Sequence, residues 1–234
     1  TSQELMHPKT QVLPGTHVML VVGTAREVSA RQSVTRTDGT TALHEAAHVD
    51  DIQAMTRLIA AGADVTAANR YGVTPLWLAC LNGSATAIDL LLKAGANANA
   101  VLPGGETLLM TGARTRKPDA VNVLLPHGAS VNPKEGWRGQ TALMWAAAEG
   151  HAAVVEALIA RGADVYGRSH GGFTALLFAA REGQIAASKA LLAAGANLND
   201  AIPSTTPIDE PAPEETTPGP PEAGLNVFLL AAAN

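Results

Sequence analysis

The sequence predicts an all-α protein of stacked helix–turn–helix repeats, and three observations support this fold class. A segment of 33 or 34 residues recurs five times between residues 38 and 200. Each copy holds two apolar segments of helical length separated by turn residues, as helical repeat proteins require. The chain is 47% hydrophobic but only 3% aromatic, and this alanine- and leucine-rich composition suits closely packed short helices better than a β-sandwich.

Regularly spaced glycines define the period of the repeat. The glycine that precedes each first helix lies at one of five positions: Gly39, Gly72, Gly105, Gly139 and Gly172. The steps between them are 33, 33, 34 and 33 residues, and a second glycine always follows 23 residues after the first. The one extra residue is therefore expected in the connecting loop, residues 132–138, because stacked helices must stay in register with their neighbours.

Capping residues mark the ends of the predicted helices. Threonines that can accept hydrogen bonds from free backbone N–H groups begin the first helices: Thr41, Thr74, Thr107, Thr141 and Thr174. Glycines suited to a left-handed cap end the second helices: Gly62, Gly95, Gly128, Gly162 and Gly195. Two positions depart from the pattern. Pro126 is expected to shorten the second helix of the third repeat, and Asp50 is expected to cap the second helix of the first.

A repeat written G-x-T-[PA]-L…A-A…G…L-L…G-A-[DN] resembles the ankyrin repeat, and units such as TALMWAAAEGH are similar to those of bacterial ankyrin repeat proteins. The resemblance implies an all-α ankyrin repeat solenoid, in which helix–turn–helix units stack and hairpin loops connect them. It also implies a non-catalytic module for protein–protein interaction that needs no cofactor. Its partner, an unidentified protein, would bind the concave face formed by the loop tips and the exposed side of the first helices.

The repeats divide the chain into four predicted segments. Residues 1–37 do not follow the pattern and are expected to be a degenerate N-terminal cap or a partly disordered lead-in. Residues 38–200 hold five full repeats. Residues 201–223 are rich in Pro, Glu and Thr and are expected to form a flexible insertion. Residues 224–234, GLNVFLLAAAN, match the start of a sixth, truncated repeat.

The register of the resemblance places ten residues at the concave face. Candidate partner-binding residues are Arg70, Tyr71, Glu106, Arg114, Trp137, Arg138, Glu149, Phe173, Arg181 and Glu182. Tyr71, Trp137 and Phe173 stand out because aromatic residues and arginine are the usual anchors of protein interfaces. An equally open alternative is that these three rings pack against a neighbouring loop. The helical aromatics Trp77, Trp145 and Phe178 are expected in the core.

The candidate face mixes positive and negative residues, and the chain carries a net charge of −5. Nucleic-acid-binding domains normally present a basic surface, so a protein partner is expected and a nucleic-acid partner is not. No apolar stretch approaches the roughly 18 residues of a membrane span, so no membrane partner is expected. The module is expected to be monomeric.

The segment His44-Glu45-Ala46-Ala47-His48 spells H-E-x-x-H, the helical zinc motif of metalloproteases. A zinc hydrolase is therefore a remote alternative. The structural interpretation is stronger, because His44 occupies the histidine position of the ankyrin T-P-L-H signature and no third ligand follows at the expected spacing. No metal site is predicted. Cys80 lies in an apolar helix and is expected to be a buried thiol.

A second alternative to partner binding is a spacer or scaffold segment of a longer multidomain protein. The chain begins at Thr1 and stops at Asn234 within a repeat, so both termini look truncated. The sequence therefore leaves the cellular compartment open between a cytoplasmic protein and an exported one.

Overall fold

The computed structural model describes residues 36–202, and these residues form ten helices. In chain order they are α1 (Ala42–His48), α2 (Ile52–Ala60), α3 (Pro75–Asn82), α4 (Ala85–Lys93), α5 (Leu108–Ala113), α6 (Pro118–Leu124), α7 (Ala142–Ala148), α8 (Ala152–Ala160), α9 (Ala175–Arg181) and α10 (Ile185–Ala193). These ten helices form five successive pairs. The cap or lead-in expected before residue 36, and the insertion and sixth repeat expected after residue 202, lie outside the described residues.

The helices belong to two compact bodies, an N-terminal body that ends at Asn97 and a C-terminal body that begins at Ala98. In the N-terminal body the first helices α1 and α3 pack together, and so do the second helices α2 and α4. In the C-terminal body α5, α7 and α9 pack in series, while α6, α8 and α10 form a parallel row behind them. Each body is therefore a stack of helical hairpins, as the repeat pattern predicts.

The predicted caps are confirmed at the start of every first helix. All five threonines accept a hydrogen bond from the backbone N–H three residues later, for example Thr74 from the N–H of Trp77 at 3.2 Å. Each such cap stabilises its helix by about 1 kcal/mol. The five glycines predicted to follow the second helices all have positive φ, between 84° and 99°, which is a conformation that residues with a Cβ atom rarely adopt.

Asparagine side chains join successive repeats where the second helices end. In the C-terminal body, Asn132 donates to the carbonyl oxygen of Gly162 at 3.0 Å and accepts from the N–H of Asp164 at 2.9 Å. Asn99, one repeat earlier, donates to the carbonyl oxygen of Gly128 at 2.8 Å. These bonds satisfy backbone groups that the helix ends would otherwise leave unpaired.

The two departures from the repeat pattern have different outcomes. Helix α6 ends at Leu124, two residues before Pro126, and has seven residues where the other second helices have nine. The expected shortening is confirmed. The prediction for Asp50 is wrong: Asp51 caps α2 by accepting from the N–H of Ala54, while Asp50 has a φ of 57°. Asp50 occupies a turn position where other repeats have a glycine with positive φ. Aspartate tolerates this left-handed backbone conformation better than most residues do.

Small and branched apolar residues fill the core of each body. The paired alanines of the first helices are buried, so that neighbouring helices can approach closely. Burial raises the pKa of the Cys80 thiol, and the expected buried cysteine is confirmed. At the open side of the first repeat Leu58 is only half-buried, whereas its counterparts Leu91, Leu124, Leu158 and Leu191 are fully buried. The described residues therefore pack against only one side of helix α2.

Candidate functional site

In the N-terminal body, the hairpin loop between α2 and α3 carries two of the predicted site residues, Arg70 and Tyr71. The side chain of Asn69 closes this loop by accepting from the N–H groups of Tyr71 at 3.0 Å and Val73 at 3.1 Å. Tyr71 is 61% exposed, and the guanidinium carbon of Arg70 lies 5.4 Å from the centre of its ring. The pair forms a cation–π contact at the tip of an ordered loop.

In the C-terminal body, the loop between α6 and α7 presents Trp137 on the surface. The carboxylate of Glu135 lies beneath this loop and accepts from three backbone N–H groups, those of Trp137 at 2.6 Å, Arg138 at 2.7 Å and Gln140 at 3.0 Å. Glu135 is only 8% exposed, whereas Trp137 is 85% exposed. A buried carboxylate therefore holds the loop in a shape that directs the indole outward. The extra residue of this repeat falls in the same loop, outside the helices, as predicted.

The electrostatic state of Glu135 follows from two opposing effects. Burial alone would raise the pKa of this carboxyl group because it disfavours the charged form. The three backbone donors, from Gln140, Trp137 and Arg138, together with the nearby His170 outweigh burial, so the pKa of Glu135 lies below its usual value. The carboxylate is therefore ionised at neutral pH, and its bonds to the loop are charge-assisted.

The next hairpin loop packs directly against this one. The ring Nδ1 of His170 lies 3.2 Å from the carbonyl oxygen of Trp137, and the backbone N–H of His170 donates to the carbonyl oxygen of Arg138 at 2.8 Å. A Cβ atom at Gly139 would lie 2.5 Å from the His170 ring, and Gly139 has a φ of 65°. The positive φ disfavours any residue with a Cβ atom at this position, and an added Cβ would also displace the His170 ring.

A groove of about 540 Å³ lies beside these loops in the C-terminal body. Its walls include aromatic rings and charged side chains from three successive repeats: Arg114, Arg138, Trp145, Glu149, Phe178, Arg181 and Glu182. The Arg114 guanidinium carbon lies 5.0 Å from the centre of the Trp145 ring. Arg181 lies 5.2 Å from the ring of Phe173 and 5.1 Å from that of Phe178. Two of the arginines that line the groove therefore lie over aromatic rings.

The charged groups of the groove are only partly paired with one another. Arg181 forms an ion pair with Glu182 at 2.8 Å. Arg114 and Arg138 form no ion pair with any residue between 36 and 202. The Trp145 Nε1 is screened from solvent and has no hydrogen-bond acceptor among the described residues. A buried donor without an acceptor costs about 1–3 kcal/mol, so this group is unusual in a folded domain.

The predicted site residues thus fall into separate environments. In the C-terminal body, Arg114, Arg138, Glu149, Arg181 and Glu182 line one groove. Phe173 does not line that groove; its ring centre lies 5.1 Å from that of Phe178, in helix α9 of its own repeat, and this contact is not the packing against a neighbouring loop that the alternative interpretation described. Glu106 accepts a hydrogen bond from Thr111 at 3.0 Å and is not part of the groove wall. Arg70 and Tyr71 form their own site in the N-terminal body.

Sequence reasoning misplaced one aromatic residue. Trp77 and Phe178 are buried as predicted, but Trp145 is only partly buried and forms part of the groove wall. A signal was present in the repeat register. Arg114 and Arg181 each lie nine residues after the first glycine of their repeats, Gly105 and Gly172. The repeat of Trp145 lies between those two repeats, so its first helix is flanked by arginine on both sides.

The H-E-x-x-H segment has a structural role in the N-terminal body. His44 is completely buried; its Nδ1 accepts from the N–H of Thr41 at 3.1 Å, and its Nε2 lies 2.9 Å from the carbonyl oxygen of Val73. A neutral ring with its proton on Nε2 satisfies both bonds. A metal ion could reach His44 only if one of them broke. Residues 36–202 contain no group of three His, Cys, Asp or Glu side chains arranged to hold a metal ion.

The tandem helical hairpins define the class of the protein as an all-α repeat protein. The chain matches the family described as ankyrin repeats over four overlapping ranges, residues 18–101, 43–135, 88–169 and 109–202. Together these ranges cover residues 18–202, and the chain belongs to the ankyrin repeat family. Both the resemblance and the all-α ankyrin fold class are thereby confirmed. A search of curated proteins returns no match to the chain.

Ankyrin repeats generally act as modules for protein–protein interaction, and the family is typically non-catalytic. None of the helices in the described part of the chain is long and apolar enough to cross a membrane.

Proposed function

We propose that this chain is a non-catalytic, monomeric recognition module that binds a partner protein through the face formed by its first helices and hairpin-loop tips. In ankyrin stacks this is the concave face. The observation that carries the proposal is the exposure of Trp137. An indole that is 85% exposed contributes little to folding, yet the loop that presents it is held by a buried carboxylate with three hydrogen bonds. Such an arrangement suits a binding anchor.

The surroundings of Trp137 support the same proposal. The groove beside it combines arginines with aromatic rings, which are enriched at the centres of protein interfaces. The loops are connected by backbone hydrogen bonds, so little conformational entropy would be lost on binding. Charges of both signs line the groove, and this mixture favours a protein partner over a nucleic acid.

The proposal is tested by affinity capture from a lysate of the source cell with the full chain and two variants. Trp137→Ala removes the proposed anchor, and Ile185→Ala is the matched control. Ile185 is 70% exposed at the start of α10, in the other row of helices of the same body. Neither substitution should change the melting temperature, because both side chains are exposed.

A partner that binds at this face should be retained by the wild type and by Ile185→Ala. Its affinity for Trp137→Ala should fall by roughly 30-fold, the loss typical of a hot-spot residue worth about 2 kcal/mol. Equal recovery of the same proteins by all three forms would contradict binding at this face. If none of the three forms retains a protein, the spacer or scaffold interpretation takes the place of the recognition function.

A further inference from the structure

We infer that the groove of the C-terminal body recognises an acidic segment of its partner, and that Arg114 and Arg138 receive a carboxylate of that segment. This inference rests on the proposed recognition function and names the chemistry of the partner. Its basis is an imbalance between hydrogen-bond donors and acceptors in the groove.

Donors without internal acceptors are concentrated in this groove. Arg114 and Arg138 each carry five N–H donors, and neither pairs with a carboxylate among residues 36–202. Both instead lie near indole rings, Arg114 at 5.0 Å from Trp145 and Arg138 at 5.8 Å from Trp137. Trp145 also lines the groove, and its Nε1 is buried without an acceptor among the described residues.

Few carboxylates in the groove lining are available to pair with these arginines. Glu182 is engaged by Arg181. Glu149 is exposed and forms no ion pair with a described residue. Three arginines and two glutamates leave the lining with a charge of 3 − 2 = +1, although the whole chain has a net charge of −5. The groove is thus a local positive site on an acidic protein, and it is complementary to an anion.

The remaining features favour a carboxylate within a peptide over a polyanion. A guanidinium group binds a carboxylate through two parallel hydrogen bonds. The aromatic rings of Trp145 and Phe178 also line the groove, and they can pack against apolar atoms beside the carboxylate. Glu149 and Glu182 would repel a dense run of phosphates. The groove volume of about 540 Å³ falls within the range of clefts that bind small molecules. A groove of this size fits a few side chains of an extended peptide segment.

A library of random 12-residue peptides displayed on phage provides the probe, with the immobilised full chain as the target. The selected peptides are then synthesised with a fluorescent label, and their affinities are measured by fluorescence polarisation. Each acidic residue of a binder is replaced in turn by its amide. The chain is tested as wild type, Trp137→Ala, Arg138→Gln, Glu149→Gln and the control Arg161→Gln. Arg161 is an exposed arginine at the C-terminal end of α8, and it does not line the groove.

The inference expects binders enriched in Asp or Glu whose affinity falls about tenfold when one carboxylate becomes an amide, the loss of one charge-assisted contact. Arg138→Gln should cause a similar loss, Glu149→Gln should strengthen binding several-fold, and Arg161→Gln should have no effect. Affinity should also fall as salt is raised, because exposed charges are screened.

The other outcomes separate this inference from the recognition function. Binders that need Trp137 but contain no essential acidic residue would overturn the inference and leave the recognition function intact. Binders that are insensitive to Trp137→Ala and to every groove variant, or a selection that enriches no peptide, would count against both. A single-stranded DNA oligonucleotide that displaces acidic binders at equal concentration would show that the groove selects negative charge in general, and the peptide-specific inference would be wrong.

Discussion

Glu135 holds the loop that presents Trp137, and replacing it with glutamine separates the shape of this side chain from its charge. In Glu135→Gln, the retained oxygen can stay at the Oε1 position, where Arg138 and Gln140 donate at 2.7 and 3.0 Å. The new amide nitrogen then faces the N–H of Trp137, which now donates to Oε2 at 2.6 Å. Two donors would face each other, so this hydrogen bond is lost.

The magnitude follows from the number and kind of the contacts. One charge-assisted hydrogen bond is lost, and the other two become bonds to a neutral acceptor. Hydrogen bonds to a charged group contribute about 1.5–3 kcal/mol each, so Glu135→Gln should lower the free energy of unfolding by about 2 kcal/mol. The measurement is equilibrium urea denaturation at pH 7 followed by far-UV circular dichroism. Glu156→Gln, an exposed glutamate of α8, is the control and should change stability by less than about 0.5 kcal/mol.

The pH dependence provides a second readout that a purely steric role would not produce. The pKa of Glu135 is lower in the folded chain than its ordinary value, so its contribution to stability is fully present above the unfolded pKa of about 4.3. It is lost as the pH falls through the lower folded pKa. The stability difference between wild type and Glu135→Gln should therefore be constant from pH 7 to about pH 5 and shrink at more acidic pH.

Two results would refute this account of the loop. The first is equal stability of Glu135→Gln and wild type at pH 7, since the carboxylate charge would then contribute nothing. The second is a stability difference that persists unchanged at pH 3, since the effect would then come from packing alone.

Two further predictions concern the contacts that fix neighbouring elements. Gly139→Ala should lower the free energy of unfolding by at least about 1 kcal/mol, because Gly139 has a φ of 65° and the new Cβ would meet the His170 ring. The measurement is urea denaturation, and an unchanged midpoint urea concentration would contradict this prediction. His44→Ala should cost about 3 kcal/mol, because it removes a buried ring, leaves the N–H of Thr41 without its acceptor and removes one of the two donors to the Val73 carbonyl, which keeps its bond from the N–H of Asn69. The second prediction is checked by comparing the melting temperatures of wild type and His44→Ala in excess chelator. A wild type that melts markedly lower with chelator than without it would favour metal binding by His44 instead.

The elements that could be predicted from the sequence are those that depend on local backbone chemistry. The threonine caps and the left-handed glycines repeat at fixed spacing, and each acts within a few residues of its own position. The shortening of α6 follows in the same way, because a proline prevents the helix from continuing. The error at Asp50 and Asp51 is of a different kind. Both residues can cap a helix, and the need for a left-handed residue at the turn assigns the cap to Asp51.

The sequence by itself determined the repeat, its register, most of the helix ends and the membership of the ankyrin repeat family, because all of these depend on residues close together in the chain. Only the tertiary structure decided the environment of individual side chains. Trp145 appeared to belong to the core, but Arg114, from the preceding repeat, covers its ring, and its N–H is left without an acceptor. Glu135 attracted no notice in the sequence, yet it organises the loop that carries Trp137. The burial and partners of such residues depend on how loops fold back and how repeats more than 30 residues apart pack together, and no local pattern encodes that packing.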